Sequence, residues 1–372
     1  MRTNRAGEST GARGKLPLRP VLAAFAFFAA VLGSGGSPSL EAQAVRTAPA
    51  GGGERPVWSG ELVAASDLRY AADRREYMFG VWLRSRVGLL FDREQVKAAI
   101  NLEYLSGPDS GEDFIREGLG LWESYLRGGT EYSNIQIGVY VEDWGVSLSR
   151  GLSSVLNERD DRYPDNVFFS KYYRPNPLFS MTVGKESLYT QAALSNREMP
   201  IESIEDSDFA IRGVVKSGAV RSTGGVIRSL GSSSFLSFAT LEQEGDEGRQ
   251  WAEVDWRYLS SEEDVWSVAL GFSRRLSSSR VAAEYLLLGA EDILFLEQDH
   301  RISETVGFDL KLYVHFPDFS TALSGFFTLG VGEGLTFEPG VYGFIGKRGQ
   351  YFSPTVPEND NRAVIRLRFQ FG

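Results

Sequence analysis

The chain has 372 residues, 42% of them hydrophobic and 12% aromatic, with no cysteine and a formal net charge of −10. The missing thiol excludes disulfides, thiolate metal centres and lipoprotein attachment. The acidic balance gives no basis for nucleic-acid binding, and no apolar run reaches the length of a membrane helix, so any bilayer crossing has to be made by strands.

Residues 1–44 carry the three parts of a secretory signal peptide. A basic start holds Arg2, Arg5, Arg13, Lys15 and Arg19. The uncharged run "VLAAFAFFAAVLG" follows, too short to span a bilayer, and Ala42-Gln43-Ala44 has the A-x-A form of a cleavage site. The competing reading is a short membrane anchor. Five of the 39 Lys/Arg and two of the 49 Asp/Glu fall in this leader, so the remaining, roughly 328-residue chain has a net charge of about −13. Residues 45–56, "VRTAPAGGGERP", read as a flexible lead-in, and 57–372 as one domain.

From Trp58 onward a period of two dominates, the side-chain period of a strand. In "YMFGVWLRSRVGLLF", Tyr77, Phe79, Val81, Leu83, Val87, Leu89 and Phe91 share one face, and Arg84 and Arg86 take the other. "VKAAINLEY" sets Val96, Ala98, Ile100, Leu102 and Tyr104 against Lys97, Asn101 and Glu103. "QWAEVDWRY" and "ETVGFDLKLYVHF" repeat the pattern, with Glu253, Asp255, Arg257, Asp309, Lys311 and His315 on their polar faces. These runs exceed the usual globular strand of about five or six residues and match the length that crosses a bilayer at a tilt. Turn residues separate them, as in an antiparallel meander.

The pattern predicts about sixteen strands, near 57–70, 77–91, 95–105, 117–127, 131–142, 177–185, 207–217, 219–230, 233–243, 249–259, 264–275, 279–289, 304–316, 319–330, 335–346 and 361–371. Fourteen or eighteen stay open, because 187–194 reads as a further strand or a connection and 290–299 as a short helix. The stretch 143–176 breaks from the wall and either folds into the lumen or caps it. Gly138 and Trp144-Gly145, ahead of the polar run at 157–166, resemble a strand-then-turn pattern of several large exporter and porin barrels.

The chain closes on "AVIRLRFQFG". Ile365, Leu367, Phe369 and Phe371 fall on one face, Arg366, Arg368 and Gln370 on the other. This end resembles the C-terminal sorting signal of Gram-negative outer-membrane proteins, whose last strand alternates and ends on an aromatic; here Phe369 and Phe371 fit and Gly372 departs from the pattern. With the leader and the strand beat, the resemblance covers nearly the whole chain. It implies an all-β antiparallel transmembrane barrel of the cell outer membrane. It also implies lipid outside and the barrel-insertion machinery as a partner. The soluble alternative, a secreted β-sandwich or β-helix, does not account for so many long strands with aromatics on the apolar face.

Catalytic signals are thin. His300 falls in an expected connection and His315 on an expected lumen face, and "GVGEG" at 330–334 reads as a hairpin turn rather than a phosphate loop. "NERDDRYPDN" at 157–166 offers oxygen ligands without EF-hand spacing. We therefore expect no enzyme, no cofactor and no metal. Alternation places basic Arg69, Arg84, Arg86, Lys97, Arg212, Lys216, Arg257, Lys311, Arg366 and Arg368 inside, with acidic Glu61, Asp67, Glu103, Glu253, Asp255, Glu284 and Asp309. Facing lipid at the midplane would cost about 2–4 kcal/mol for each Arg or Lys. Closure brings Arg366 and Arg368 beside Arg84 and Arg86, across the first strand. The expected function is passive passage of small polar solutes or ions. The alternatives are a plugged barrel for assembly or polysaccharide export and, least favoured, an outer-membrane hydrolase.

Overall fold

The computed structural model describes residues 56–71, 76–93, 95–107, 118–142, 144–148, 156–157, 175–196, 203, 207–231, 234–258, 264–354 and 361–372. The expected signal peptide, all but Pro56 of the lead-in, and all but Asn157 of the polar loop 157–166 lie outside these residues.

Strand-forming alternation produces eighteen strands. They are β1 Val57–Ala71, β2 Glu76–Arg93, β3 Val96–Ser106, β4 Gly118–Gly129, β5 Ser133–Tyr140, β6 Asn176–Lys185, β7 Leu188–Asn196, β8 Ser207–Ser217 and β9 Val220–Ser229. They continue as β10 Phe235–Gly245, β11 Gly248–Tyr258, β12 Val265–Leu276, β13 Ser279–Leu288, β14 Glu291–Arg301, β15 Val306–His315, β16 Ser320–Gly332, β17 Leu335–Ile345 and β18 Asn361–Phe371. Each strand pairs with its sequence neighbours, and β1 also pairs antiparallel with β18, from Gly60 opposite Phe371 to Tyr70 opposite Asn361. The sheet is thereby a closed barrel, which leaves no unpaired edge.

Two strands exceed the sixteen read from alternation. β7 pairs with β6 and β8 on its two sides. The second, β14, replaces the expected helix at 290–299. Its run Ile293-Leu294-Phe295-Leu296 is apolar on both faces. Ile293 and Phe295 are buried inside, while Leu296 is exposed on the outer wall, so polarity does not alternate there and the period-two signal vanishes. His300 accordingly sits in a strand, not in a connection.

A bulge sets the parity of β4. Register shifts between Ala99 and Asn101 on β3, opposite Glu123, which has φ 38°. Asn101 holds the bulge: its side-chain amide donates to the Glu123 carbonyl at 2.8 Å, and its backbone N–H donates to the Ser124 hydroxyl at 2.9 Å. One extra residue flips the faces, so Leu119, Leu121 and Leu126 all end on the exposed outer wall while Trp122 is buried.

The inside is filled in part by apolar side chains. One cluster gathers Tyr140, Trp144, Leu156, Leu178 and Phe238; another gathers Leu286, Phe295, Tyr313, Tyr342, Phe344 and Phe352, with Leu148 packed against it. Both ends of the strand order, Val57 and Phe371, lie at the end of the barrel where short turns such as 218–219, 246–247 and 333–334 connect the strands. The long connections 141–175 and 346–360 lie at the other end.

Candidate functional site

The inner wall at the seam is arginine-rich. β1 lies between β18 and β2, with Val63 opposite both Arg368 and Arg84, and Ala65 opposite Arg366. The small Ala65 and Val63 leave room for guanidinium groups from either side. Glu61 takes a hydrogen bond from Arg84 Nη2 at 2.5 Å and lies 3.7 Å from Arg368 Nε. Glu103 lies 3.6 Å from Arg86, and Glu338 lies 3.3 Å from Arg368 and 3.9 Å from Arg366. Asp67 pairs with Arg69, and Arg362 stands opposite Arg69. Rings share the load: Arg86 lies 3.6 Å over Trp122 and Arg366 4.2 Å over Phe326. Among the described residues of β17, β18 and β1–β3, six arginines thus gather with four carboxylates at the seam. Glu338 and Arg362 were not singled out from sequence. Glu338 precedes Pro339 and Gly340, which blur the alternation, yet its spacing from Tyr342 puts both on one face.

Across the lumen the wall is acidic and holds a loop. The backbone N–H groups of Val146 and Ser147 donate to Glu253 Oε2 at 3.0 and 3.1 Å, and Leu148 N–H donates to Glu284 Oε2 at 2.7 Å. Trp251 Nε1 donates to the same Glu284 oxygen at 2.7 Å, and Arg249 donates to the Val146 carbonyl at 3.0 Å. Residues 144–148 therefore run inside the barrel, tied to β11 and β13, rather than over its mouth. An extended segment with no strand partner must place its N–H groups somewhere, and a buried carboxylate needs donors; each solves the other's problem. Glu253 and Glu284 are each only 1% exposed. The root of the loop is tied as well. Glu142 pairs with Arg212 at 3.3 Å and accepts from Trp144 Nε1 at 3.1 Å, and Asn157 accepts from the Glu142 N–H at 2.8 Å. Glu142 was not singled out from the sequence, where it closes the expected strand 131–142; β5 ends at Tyr140, and the chain leaves the wall before Glu142.

The other expected lumen residues spread over the wall. Lys311 lies 3.6 Å from Asp309 and 3.8 Å from Glu297 on the inner face. Asp255 is buried on β11, and Arg257 beyond it is exposed near the strand end. Lys97 pairs with Asp92 at 3.2 Å and Lys216 with Glu186 at 3.0 Å, both close to short turns, so these two lysines belong to the rim.

At the long-loop end a clasp closes over the inside. His315 presents Nδ1 to Asp318 at 2.8 Å and pairs through Nε2 with Glu291, with the Tyr351 ring stacked on it at 4.6 Å. Asp318 also accepts the N–H of Tyr351 at 2.7 Å and of Ser320 at 2.8 Å. Partial burial acts to raise the Asp318 carboxyl, but hydrogen bonds from Ser320, His315 and Tyr351 outweigh it and hold it well below the usual carboxylate range. The second histidine, His300, lies with Ser279 on the outer-wall parity of β13 and β14, Nδ1 2.5 Å from the hydroxyl. This is a serine–histidine pair that the sequence reading did not find. No described carboxylate contacts His300, so the third group that orients a catalytic base is missing among the described residues.

No protein-family model matches the chain, and no curated protein sequence matches it. Among solved structures it is similar to Pseudomonas aeruginosa OpdQ, at 11% identity and a TM-score of 0.54, over 85% of this chain and 98% of that one. It also aligns with a variant of the Rhodopseudomonas blastica porin, at 11% identity and a TM-score of 0.48, over 85% and 100%. The fold is thus a porin-like closed antiparallel barrel, here with eighteen strands.

Proposed function

We propose that this protein is an outer-membrane pore for passive passage of small polar solutes or ions, narrowed inside by residues 144–148. The observation that carries the reading is the inward segment held by Glu253 and Glu284 opposite an arginine-rich seam. A passage bounded by opposed charges orients polar solutes and filters ions. Lipid surrounds the outer wall, where Phe79, Ile137, Phe272 and Ile365 are exposed, and such a surface is stable only against an apolar medium. The leader in residues 1–44 directs export, and the terminal strand with Phe369 and Phe371 addresses the insertion machinery.

The test is reversal potential in planar bilayers under a salt gradient, for the wild type and for Arg84, Arg86, Arg366 and Arg368 all replaced by Gln. We expect discrete current steps and a shift of the quadruple variant towards cations, because local positive potential is lost. Absence of steps from correctly folded protein at every concentration overturns the pore reading in favour of a plugged export or assembly barrel. An unchanged reversal potential in a conducting variant removes the seam from ion selection and leaves it as a structural cluster.

A further inference from the structure

Beside the inward segment, towards the short turns, the wall of β9, β10 and β11 forms a cavity of ≈220 Å³ lined in part by Trp144, Arg221, Thr223, Glu242, Glu244 and Arg249. The space lies below the roughly 300–1,000 Å³ of drug-sized ligand pockets, so it suits a small solute.

The charges around this cavity are not used alike. Arg249 is committed to the framework: it donates to the Val146 carbonyl and pairs with Glu242. Arg221 stands directly across the β9–β10 ladder from Glu242, yet it makes no ion pair among the described residues. Its guanidinium meets the Tyr189 hydroxyl at 3.3 Å, and its Nε, like that of Arg249, is buried with no hydrogen-bond partner. A buried donor left without an acceptor is costly unless something arrives to take it. Glu244 lies two residues along β10 from Glu242 and on the same face, so it is the diagonal neighbour of Arg221, with backbone positions about 7–8 Å apart. Its carboxylate has no ion-pair partner among the described residues. One cavity thus presents a cation and an anion that do not meet each other.

We infer that this cavity binds a small zwitterion of amino-acid type, with its carboxylate on Arg221 and the Thr223 hydroxyl, its ammonium on Glu244, and a short apolar substituent against Trp144. The assignment rests on the pore reading for the solute's route to the site. A plain anion satisfies Arg221 and leaves Glu244 unmatched, and a plain cation does the reverse. Each forfeits a charged contact, which corresponds to about tenfold or more in affinity.

The experiment is calorimetric titration of the detergent-solubilised full chain with L-alanine, acetate and methylammonium, with bilayer currents recorded on the same preparations. We expect L-alanine to bind about tenfold tighter than either half-molecule. Arg221→Gln and Glu244→Gln should each abolish that margin, and Lys347→Gln, on an exposed loop, should preserve it. Heat-shifted gel mobility shows that each variant is folded. Equal binding of acetate and L-alanine with Glu244→Gln silent overturns the proposal, as does a folded barrel that binds none of the probes. Alanine binding by a protein that passes no current supports this site and overturns the pore instead; current without alanine binding does the opposite.

Discussion

At the residue scale, single carboxylates carry more of the architecture than their number suggests. Glu253 accepts two backbone N–H groups of the inward segment from one oxygen. Hydrogen bonds to a charged group contribute about 1.5–3 kcal/mol each. Glu253→Ala should therefore lower the melting temperature and raise single-channel conductance, because the segment loses its tether to β11. A lowered melting temperature with unchanged conductance would show that the segment does not narrow the passage. Asp318 gives a pH-dependent counterpart. Its folded-state carboxyl is held below its unfolded value of about 3.9, so its stabilisation is present above that value and is lost as pH falls towards the depressed one. The melting-temperature difference between wild type and Asp318→Asn should be full near neutrality and shrink below about pH 4. A difference that grows with acid would exclude the clasp as the cause. Both carboxylates are invisible to a motif search, since a lone Glu on an alternating strand and a Pro-Asp turn have many solvated uses.

At the element scale, β14 shows where period-two reading fails. The strand is apolar on both faces at Ile293–Leu296, with Phe295 fully buried inside and Leu296 exposed outside. Leu296 sits at the middle of an eleven-residue strand. Leu296→Arg should cost about 2–4 kcal/mol of stability in urea titrations of the vesicle-folded protein, the penalty of a cation at the bilayer midplane. A neutral result would place this segment off the lipid-facing wall. The bulge on β4 has the same origin. Alternation counts residues, and an extra residue at Glu123 reverses every assignment beyond it. The boundaries of most other strands were legible, because each has polar turn residues at its ends and one wet face.

At the scale of the whole molecule, the chain is a wall that closes on itself and then fills part of its own interior. Strand alternation by itself determined long strands with one apolar and one charged face; that they close into a barrel was, in the sequence, what the resemblance of leader, strand beat and terminal strand implied. It also determined that Arg84 and Arg86 share one face and Arg366 and Arg368 another. Those are local properties: whether a side chain faces the outer wall or the inside depends on its polarity and parity, and both are written along each strand. Closure added the adjacency of these pairs across β1, which the shared face of first and last strands already implied. Only the tertiary structure decided which carboxylate neutralises which arginine, that Glu338 and Arg362 join the seam, and that residues 144–148 turn inward to Glu253 and Glu284. Those contacts include pairs 17 positions apart, Arg86 with Glu103, and 307 apart, Arg368 with Glu61, and register and loop path set them. A one-residue change in register would exchange every such partner while leaving the alternation of the sequence untouched.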